Sequence, residues 1–173
     1  KWYGQKVVDD IEDIYKYLKL PIGKKEFETQ RDELYLKLIK EELQPMKGLK
    51  KLVDTLKANG LKKAIATSSK KIYLDAAVQK ISVLSDFELH LTCENIKNAK
   101  PDPEIFLLAA KKFNSDPKEC VVIEDSSKGI TAAKKASMKC IALKSPCYKQ
   151  DLSDADIIVS NLGEITEEML DRL

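Results

Sequence analysis

The amino-acid sequence predicts a Rossmann-like α/β fold, in which a parallel sheet is covered by helices on both faces. From residue 48 onward, segments with helical spacing alternate with short apolar runs. This alternation implies crossover connections, which join strands that run in the same direction. Helices are predicted at 48–59, 71–81, 104–113 and 128–136, and strands at 63–67, 87–91, 120–123, 140–143 and 157–159.

A helical hairpin is predicted before this alternating region. Apolar residues three or four positions apart predict an amphipathic helix over 6–19: Val7, Ile11, Ile14 and Leu18. A second helix, predicted at 24–43, carries an apolar face made of Phe27, Leu34, Tyr35, Leu38 and Ile39. A hinge at 44–47 follows, so we expect a helical domain at 1–44 and an α/β domain at 45–173.

The composition limits the classes of function. Of 173 residues, 43% are hydrophobic and 34% are charged, which is typical of a globular protein. Lysine and arginine outnumber aspartate and glutamate only 30 to 28, so no strong field favours nucleic acid or an acidic membrane. No apolar stretch is long enough to span a membrane, and we expect a cytoplasmic protein. The cysteines lack CxxC spacing and are expected to be reduced thiols: Cys93, Cys120, Cys140 and Cys147.

The first candidate site is a row of hydroxyl residues after a strand. In an open parallel sheet, ligands bind beyond the carboxyl ends of the strands. The apolar run that ends at Ala66 is followed by Thr67, Ser68 and Ser69 at the start of a helix. Hydroxyl and free backbone N–H groups there suit a phosphate oxygen. Taken alone, this segment favours the simpler interpretation that Ser68 or Ser69 caps the helix.

The second candidate is a lysine on a stiffened loop, in the segment Asn98-Ala99-Lys100-Pro101-Asp102-Pro103. Pro101 is expected to hold the loop extended, and Pro103 to occupy the first turn of the next helix. A Lys100 ammonium fixed in this way would neutralise a phosphoryl group and a nearby carboxylate. The alternative is a solvated surface lysine, but the prolines favour the functional interpretation.

The third candidate is a pair of adjacent acids, Glu124 and Asp125, directly after the apolar run 120–123. Carboxylates in this position are costly unless they are paired, hydrogen-bonded or bound to a cation. Mg²⁺ prefers carboxylate oxygens and commonly takes one or two from protein. Capping of the next helix explains Asp125 or Ser126 but not two acids together. We therefore predict that Glu124 and Asp125 bind Mg²⁺.

Together and in this order, the three segments resemble the haloacid dehalogenase superfamily, and within it the beta-phosphoglucomutase-like subfamily with its sugar-phosphate phosphatases. Thr67 falls at the second motif of that family, Lys100 at the third, and Glu124 with Asp125 at the fourth. The strings Lys-Pro-Asp-Pro-Glu-Ile-Phe and Ile-Glu-Asp-Ser-x-x-Gly-Ile are specific to the subfamily. The amino-terminal hairpin looks like the later part of the helical cap of such enzymes.

The resemblance implies Mg²⁺-dependent phosphoryl transfer through an aspartyl-phosphate, with Thr67 and Lys100 stabilising the charge. The first motif of the family, a strand ending in Asp-x-Asp-Gly that carries the nucleophile, has no match in these residues. Asp154-Ala155-Asp156 has the spacing, but it precedes an apolar strand and no glycine follows. In the family, the first strand lies between the strands that end here at Thr67 and Glu124. We therefore expect a truncated or cleaved form of a longer enzyme, inactive alone, with the absent segment as a candidate companion fragment.

Substrate contacts are expected from the cap, where Arg31 and Lys6 are the candidates. The Arg31 head can reach a substrate phosphate or sugar, or it can extend to water while its stem packs. The leading interpretation is a phosphohydrolase acting on a small phosphorylated metabolite such as a sugar phosphate. A hexose phosphate mutase and a non-catalytic phosphate- and metal-binding module are the alternatives, whereas the paired acids argue against a dehalogenase. His90, the single histidine, is expected to pack in a strand.

Overall fold

The computed structural model describes residues 14–19, 21–145 and 149–173. The helices are α1 (Lys24–Glu42), α2 (Leu49–Ala58), α3 (Lys71–Lys80), α4 (Glu104–Phe113), α5 (Ser127–Lys135) and α6 (Glu167–Asp171). The strands are β1 (Ala64–Ala66), β2 (Leu89–Leu91), β3 (Val121–Glu124), β4 (Lys139–Leu143) and β5 (Ile157–Val159). The predicted alternation from α2 to β4 is confirmed, and α4 and β5 have the predicted bounds. None of the helices in the described ranges has the length and apolar character of a membrane span.

All strand pairs are parallel, as predicted. β1 pairs with β2, and β4 lies between β3 and β5. Within the described residues, β1 and β3 are not paired with each other, so the strands form a group of two and a group of three. α4 packs on β1 and β2, α5 packs on β3 and β4, and the two helices also contact each other. These helices hold the two groups side by side.

Both faces of the β3–β4–β5 group are covered, which confirms the predicted layers. Successive residues of a strand point to opposite faces. Cys140 and Ala142 therefore pack in the core that includes residues of α4 and α5, whereas Ile141 and Leu143 pack in the core that includes Leu52 of α2. All four of these β4 side chains are buried. β4 is thus the central wall between two hydrophobic cores.

α1 contacts α3 through a narrow stripe. Its buried centre is Ile39, packed with Leu36, Leu43, Tyr73, Ala76 and Ala77. The predicted apolar face is wrong at three positions, which are largely exposed: Leu34 at 58%, Tyr35 at 44% and Leu38 at 45%. Among the described residues, α1 has most of its contacts with α3, and Phe27 near its start lies beside Tyr15, with ring centroids 5.9 Å apart. Of the helix predicted before α1, residues 14–18 are helical, and the earlier part lies outside the described residues.

The described cysteines and the histidine lie mainly inside the fold. Cys93 and Cys140 are buried, Cys120 is half-buried, and all three are free thiols; Cys147 lies outside the described residues. Burial raises the pKa of the Cys140 thiol to about 12, so this thiol stays protonated at neutral pH. His90 lies in β2, with its Nε2 atom 3.3 Å from the Leu84 carbonyl oxygen. This is the packing position predicted for it.

α2 begins at a close approach between two backbone segments. Gly48 has a φ of +85°, and a Cβ atom there would lie 2.0 Å from the backbone nitrogen of Gly163. Beside this contact, the Leu162 N–H donates to the Lys47 carbonyl oxygen at 3.1 Å. Glycine is required here both for the positive φ and for the space.

We expect Gly48→Ala to lower the free energy of unfolding by about 2–4 kcal/mol, because the strain of a positive φ adds to a backbone clash. Gly60 also has a positive φ, +64°, but nothing lies within 4 Å of the position of its Cβ, and the same holds for the space around Gly23. Gly60→Ala is therefore expected to cost about 1 kcal/mol, and Gly23→Ala less than that. Urea unfolding followed by circular dichroism compares the three variants. Equal losses in Gly48→Ala and Gly60→Ala would contradict the backbone contact.

Candidate active site

Lys100 joins the carboxyl ends of two strands that are not paired with each other. Its Nζ atom donates to the Ala66 carbonyl oxygen at the end of β1, at 3.3 Å. The same atom donates to Oε1 of Glu124 at the end of β3, at 2.5 Å. The structure therefore brings the three candidate segments together at one edge of the fold.

The Lys100 side chain is buried, with 6% of its surface exposed, so the alternative of a solvated surface lysine is wrong. Its ammonium lies 4.7 Å from the ring centroid of Phe106, where the ring face attracts a cation. The loop that carries it is held by side-chain acceptors: Glu104 binds the N–H groups of Lys97 and Asn98, and Asp102 binds the N–H group of Glu104. Lys100 is thus a positioned charge.

The Glu124 carboxylate accepts four hydrogen bonds. Lys100 donates to Oε1, while Oε2 accepts from the N–H of Asp125, the N–H of Ser126 and the Ser126 hydroxyl, at 2.8, 2.9 and 2.9 Å. Burial alone would raise the pKa of Glu124, but the charge of Lys100 and these hydrogen bonds outweigh it and hold the pKa below its usual value. Glu124 is therefore ionised at neutral pH.

Gly129 makes room for this carboxylate. A Cβ atom at position 129 would lie 2.0 Å from the Cδ atom of Glu124. Gly129 also donates its N–H to the Ser126 hydroxyl at 3.0 Å, so Ser126 caps α5. The capping interpretation was therefore correct for Ser126, and the glycine of the Ile-Glu-Asp-Ser-x-x-Gly-Ile string has a steric reason.

Asp125 is the half-buried partner of Glu124 at the end of β3. The donor type fits Mg²⁺, which takes one or two protein carboxylates and completes its shell with water and phosphate oxygens. Both Glu124 oxygens accept hydrogen bonds from protein donors. Across the ranges that the structure describes, no group of three or more His, Cys, Asp or Glu side chains forms a metal site. The roles of Glu124 and Asp125 as ligands stay predictions.

Thr67 and Ser68 follow β1 at the same edge. The Thr67 N–H donates to the Leu91 carbonyl oxygen at 2.9 Å, and its Oγ1 accepts from the Ser69 N–H at 3.1 Å. The prediction that Ser68 or Ser69 caps α3 is wrong. The N-cap residue is Lys70, and the N–H of Lys71 donates to a remote acceptor, Oε1 of Glu94, at 2.9 Å. This remote carboxylate takes the place of a local side-chain cap at the start of α3.

Arg31 lies at the contact between α1 and α3, in a cluster that the sequence did not predict. Asp32 accepts hydrogen bonds from the Lys70 ammonium and the Tyr73 hydroxyl, and Arg31 Nη1 lies 3.5 Å from the same carboxylate. Burial alone would raise the pKa of Asp32, but the bonds from Lys70 and Tyr73 hold it below its usual value. Burial and the bond to Asp32 raise the pKa of Tyr73. The cluster holds two cations and one anion. One of its cations, Lys70, lies three residues after Thr67 in the sequence.

The Arg31 side chain packs on Tyr73, and its role as a substrate contact stays a prediction. Its guanidinium lies 6.0 Å from the ring centroid of Tyr73, and 26% of the side chain is exposed. Its Nη1 atom is buried and, among the described residues, has no hydrogen-bond partner. A polar group in this state is one that a ligand oxygen can satisfy. Lys6, the other predicted cap contact, lies outside the described residues.

Comparisons with known proteins indicate the family of this chain. The sequence profile described as "Haloacid dehalogenase-like hydrolase" matches residues 5–143. A CBBY-like protein of Arabidopsis thaliana is 35% identical over 82% of this chain and 46% of its own length. The beta-phosphoglucomutase of Bacillus subtilis is 31% identical over 79% of this chain and 58% of its own length. The validoxylamine A 7'-phosphate phosphatase of Streptomyces hygroscopicus subsp. limoneus is 28% identical over 68% of this chain and 55% of its own length. The chain thus spans about half the length of these curated relatives.

A solved structure supports the fold. The crystal structure of CbbY from Rhodobacter sphaeroides, in complex with phosphate, superposes with a TM-score of 0.83 at 23% identity. The superposition covers 93% of this chain and 77% of that one. At this identity the likeness concerns the fold, which is the predicted Rossmann-like core.

Lys100→Met is expected to lower the free energy of unfolding at pH 7 by about 3–5 kcal/mol, because it leaves the buried Glu124 carboxylate without its cation. The loss depends on pH. Since the Glu124 pKa is lowered in the folded protein, the contribution of the pair is complete above the usual carboxyl range and is lost as pH falls through the lowered pKa. Urea unfolding at a series of pH values measures the difference between wild type and variant, which we expect to shrink toward low pH.

Two controls accompany this prediction. The double variant Lys100→Met with Glu124→Gln removes both charges and is expected to recover much of the lost stability. Lys63 is an equally buried lysine, but its partner Glu88 is 48% exposed, so Lys63→Met leaves an anion that water can solvate and costs less. A pH-independent difference for Lys100→Met would contradict the assignment.

Proposed function

Since this chain belongs to the haloacid dehalogenase-like hydrolase family, we propose that it is part of a Mg²⁺-dependent phosphohydrolase that acts on a small phosphorylated metabolite, a sugar phosphate in particular. The observation that carries the proposal is the contact of the Lys100 ammonium with the end of β1 and with Glu124. It fixes a positive charge between two strand ends, at the edge where parallel sheets bind ligands.

The phosphoryl group binds at this edge. Lys100 offers its positive charge to the phosphoryl oxygens. After β1, Thr67 offers its hydroxyl proton and Ser68 offers its backbone N–H. Transfer of a phosphoryl group depends mainly on positioning and on electrostatic stabilisation, because the protein has little covalent chemistry to perform. Positioned donors at the ends of rigid strands suit this requirement.

Mg²⁺ would be held by Asp125, with Glu124 as the second acid of the site. When bound, the ion supplies positive charge against the phosphoryl oxygens. The residues of the chain do the remaining work. Lys100 and the turn after β3 keep Glu124 in place, and Asp125 follows it directly in that turn.

The nucleophile is an aspartate on a strand outside these 173 residues. This aspartate takes the phosphoryl group from the substrate and becomes an aspartyl-phosphate. Two observations support this part of the proposal. Among the described residues, the facing edges of β1 and β3 lack a strand partner, although Lys100 contacts the ends of both. Unpaired edges inside a sheet are a severe liability. A strand between them would carry its last residues to Lys100 and Asp125, and without it the chain is inactive.

A hexose phosphate mutase of the beta-phosphoglucomutase type is the second candidate. The similarity to the beta-phosphoglucomutase of Bacillus subtilis favours it. The two activities share the phosphoryl site and differ in the acceptor of the phosphoryl group, which is water in one and a sugar in the other. A third possibility, a non-catalytic phosphate- and metal-binding fragment, predicts inactivity with or without an added strand.

Asp125→Ala is expected to abolish Mg²⁺-dependent turnover of p-nitrophenyl phosphate, by a factor of about 10³ or more, because the cation loses its protein ligand. The assay uses this polypeptide and a version extended upstream to include the first strand. We expect activity only in the extended protein. Asp154→Ala removes an exposed acid of the rejected Asp154-Ala155-Asp156 segment and is the matched control, expected to keep wild-type activity.

Arg31→Met is expected to raise the KM for a sugar phosphate about tenfold with a small change in kcat. The reason is that Arg31 contributes to substrate binding and does not stabilise the phosphoryl group during its transfer. Steady-state kinetics on the extended protein measures both constants. Arg172→Met is the control, since Arg172 is an exposed arginine whose partner is Glu168 on the same surface. An unchanged KM in Arg31→Met would leave Arg31 with a packing role on Tyr73.

A further inference from the structure

The turn that carries the two acids is held by side-chain acceptors at three consecutive backbone N–H groups. Those of Asp125 and Ser126 donate to Oε2 of Glu124, at 2.8 and 2.9 Å. The third, that of Ser127, donates to Oε1 of Gln150 at 2.8 Å. Two of these contacts are made within the turn itself, and only the third comes from a distant part of the chain.

Gln150 makes a second contact with the same residue. Its Oε1 also accepts from the Ser127 hydroxyl, at 2.9 Å. Two donors on one atom identify that atom as the amide oxygen, because the amide nitrogen cannot accept. The Gln150 side chain therefore supplies a hydrogen-bond acceptor at Ser127, the first residue of α5, two residues after Asp125.

The residues that follow Gln150, on the way to β5, are anchored. Leu152 packs against the core that includes residues of α4 and α5. Asp156, directly before β5, accepts from the N–H of Cys140 at 2.7 Å and from the Lys134 ammonium at 2.7 Å. Gln150 is thus held from its own side of the fold, so its contact with Ser127 constrains the turn.

The charge of the acceptor matters at this place. A helix amino terminus favours a negative group, so a carboxylate would satisfy the two Ser127 donors at least as well as an amide does. The turn already contains Glu124 and Asp125. A third carboxylate beside them would attract a cation more strongly and would repel an anionic phosphoryl group. The amide binds the donors and adds no charge.

We propose that Gln150 is a positioning residue: it fixes Ser127, and through it the direction of the Asp125 carboxylate, with an acceptor that does not repel the phosphorylated substrate. This inference rests on the proposed function, because it requires Asp125 to contact Mg²⁺ and the phosphoryl group to bind beside it. Gln150 itself touches neither the ion nor the substrate.

Two substitutions, made in the protein extended upstream to include the first strand, test the two parts of the inference separately. Gln150→Ala removes the acceptor, and we expect the dissociation constant of Mg²⁺, measured by calorimetry without substrate, to rise roughly tenfold. Gln150→Glu keeps the acceptor and adds a charge. We expect its Mg²⁺ dissociation constant to equal or fall below that of wild type, while the KM for p-nitrophenyl phosphate rises several-fold. A merely structural cap would give a Glu variant with wild-type values in both measurements.

Asp154→Asn is the control for the segment, since Asp154 is an exposed acid in the same connection, and it is expected to match wild type in both measurements. Wild-type Mg²⁺ binding in Gln150→Ala, or a wild-type KM in Gln150→Glu, overturns the inference. If Gln150→Ala does not fold, the KM of Gln150→Glu decides alone. Asp125→Ala separates a failure of the proposed function from a failure of this inference. If Asp125→Ala binds Mg²⁺ as wild type does, the proposed function fails. If Asp125→Ala loses Mg²⁺ binding while Gln150→Ala keeps it, only this inference fails.

Discussion

A carboxylate and an ammonium that are almost withdrawn from water dominate the architecture of the candidate active site. Removing Lys100 and Glu124 from solvent costs several kcal/mol for each ion, and their mutual attraction offsets this cost only when the remaining donors and acceptors are satisfied. The fold meets this condition by turning the backbone after β3 back onto Glu124 and by leaving position 129 without a side chain. The positions of the other polar groups at this site depend on that arrangement.

The contact between α1 and α3 is a second and separate polar arrangement. Its centre is Asp32, which links the helical hairpin to a residue that follows the Thr67 segment. The helix contributes few buried apolar side chains to this contact, since Ile39 is the buried one on α1. Within the described residues, polar contacts therefore make up a large share of the contact between α1 and α3. A contact of this kind is sensitive to salt and to charged ligands in a way that the two cores around β4 are not.

The sequence predicted the parts of this structure that depend on local pattern. The short strands and the helices between them follow from apolar spacing, and Thr67, Lys100, Glu124 and Asp125 follow from their position after apolar runs. It could not predict which stripe of α1 is covered, because adjacent stripes of that helix are both apolar. The contacts of Glu94 with the start of α3 and of Gln150 with the start of α5 could not be predicted for a different reason. Each acceptor is 23 residues from its donor, and local pattern carries no signal for such contacts.

The distances along the chain between contacting groups also bear on the order in which the protein folds. β3 and β4 pair in the register Val121↔Lys139 after a single short helix, so this unit closes a small loop and buries the central wall early. Lys100 reaches Glu124 across 24 residues, and Asp32 reaches Lys70 across 38. We expect these ion pairs to form after the β3–α5–β4 unit, because each closes a longer loop along the chain. The charged groups of the candidate site would then be positioned by strands and helices that are already in place.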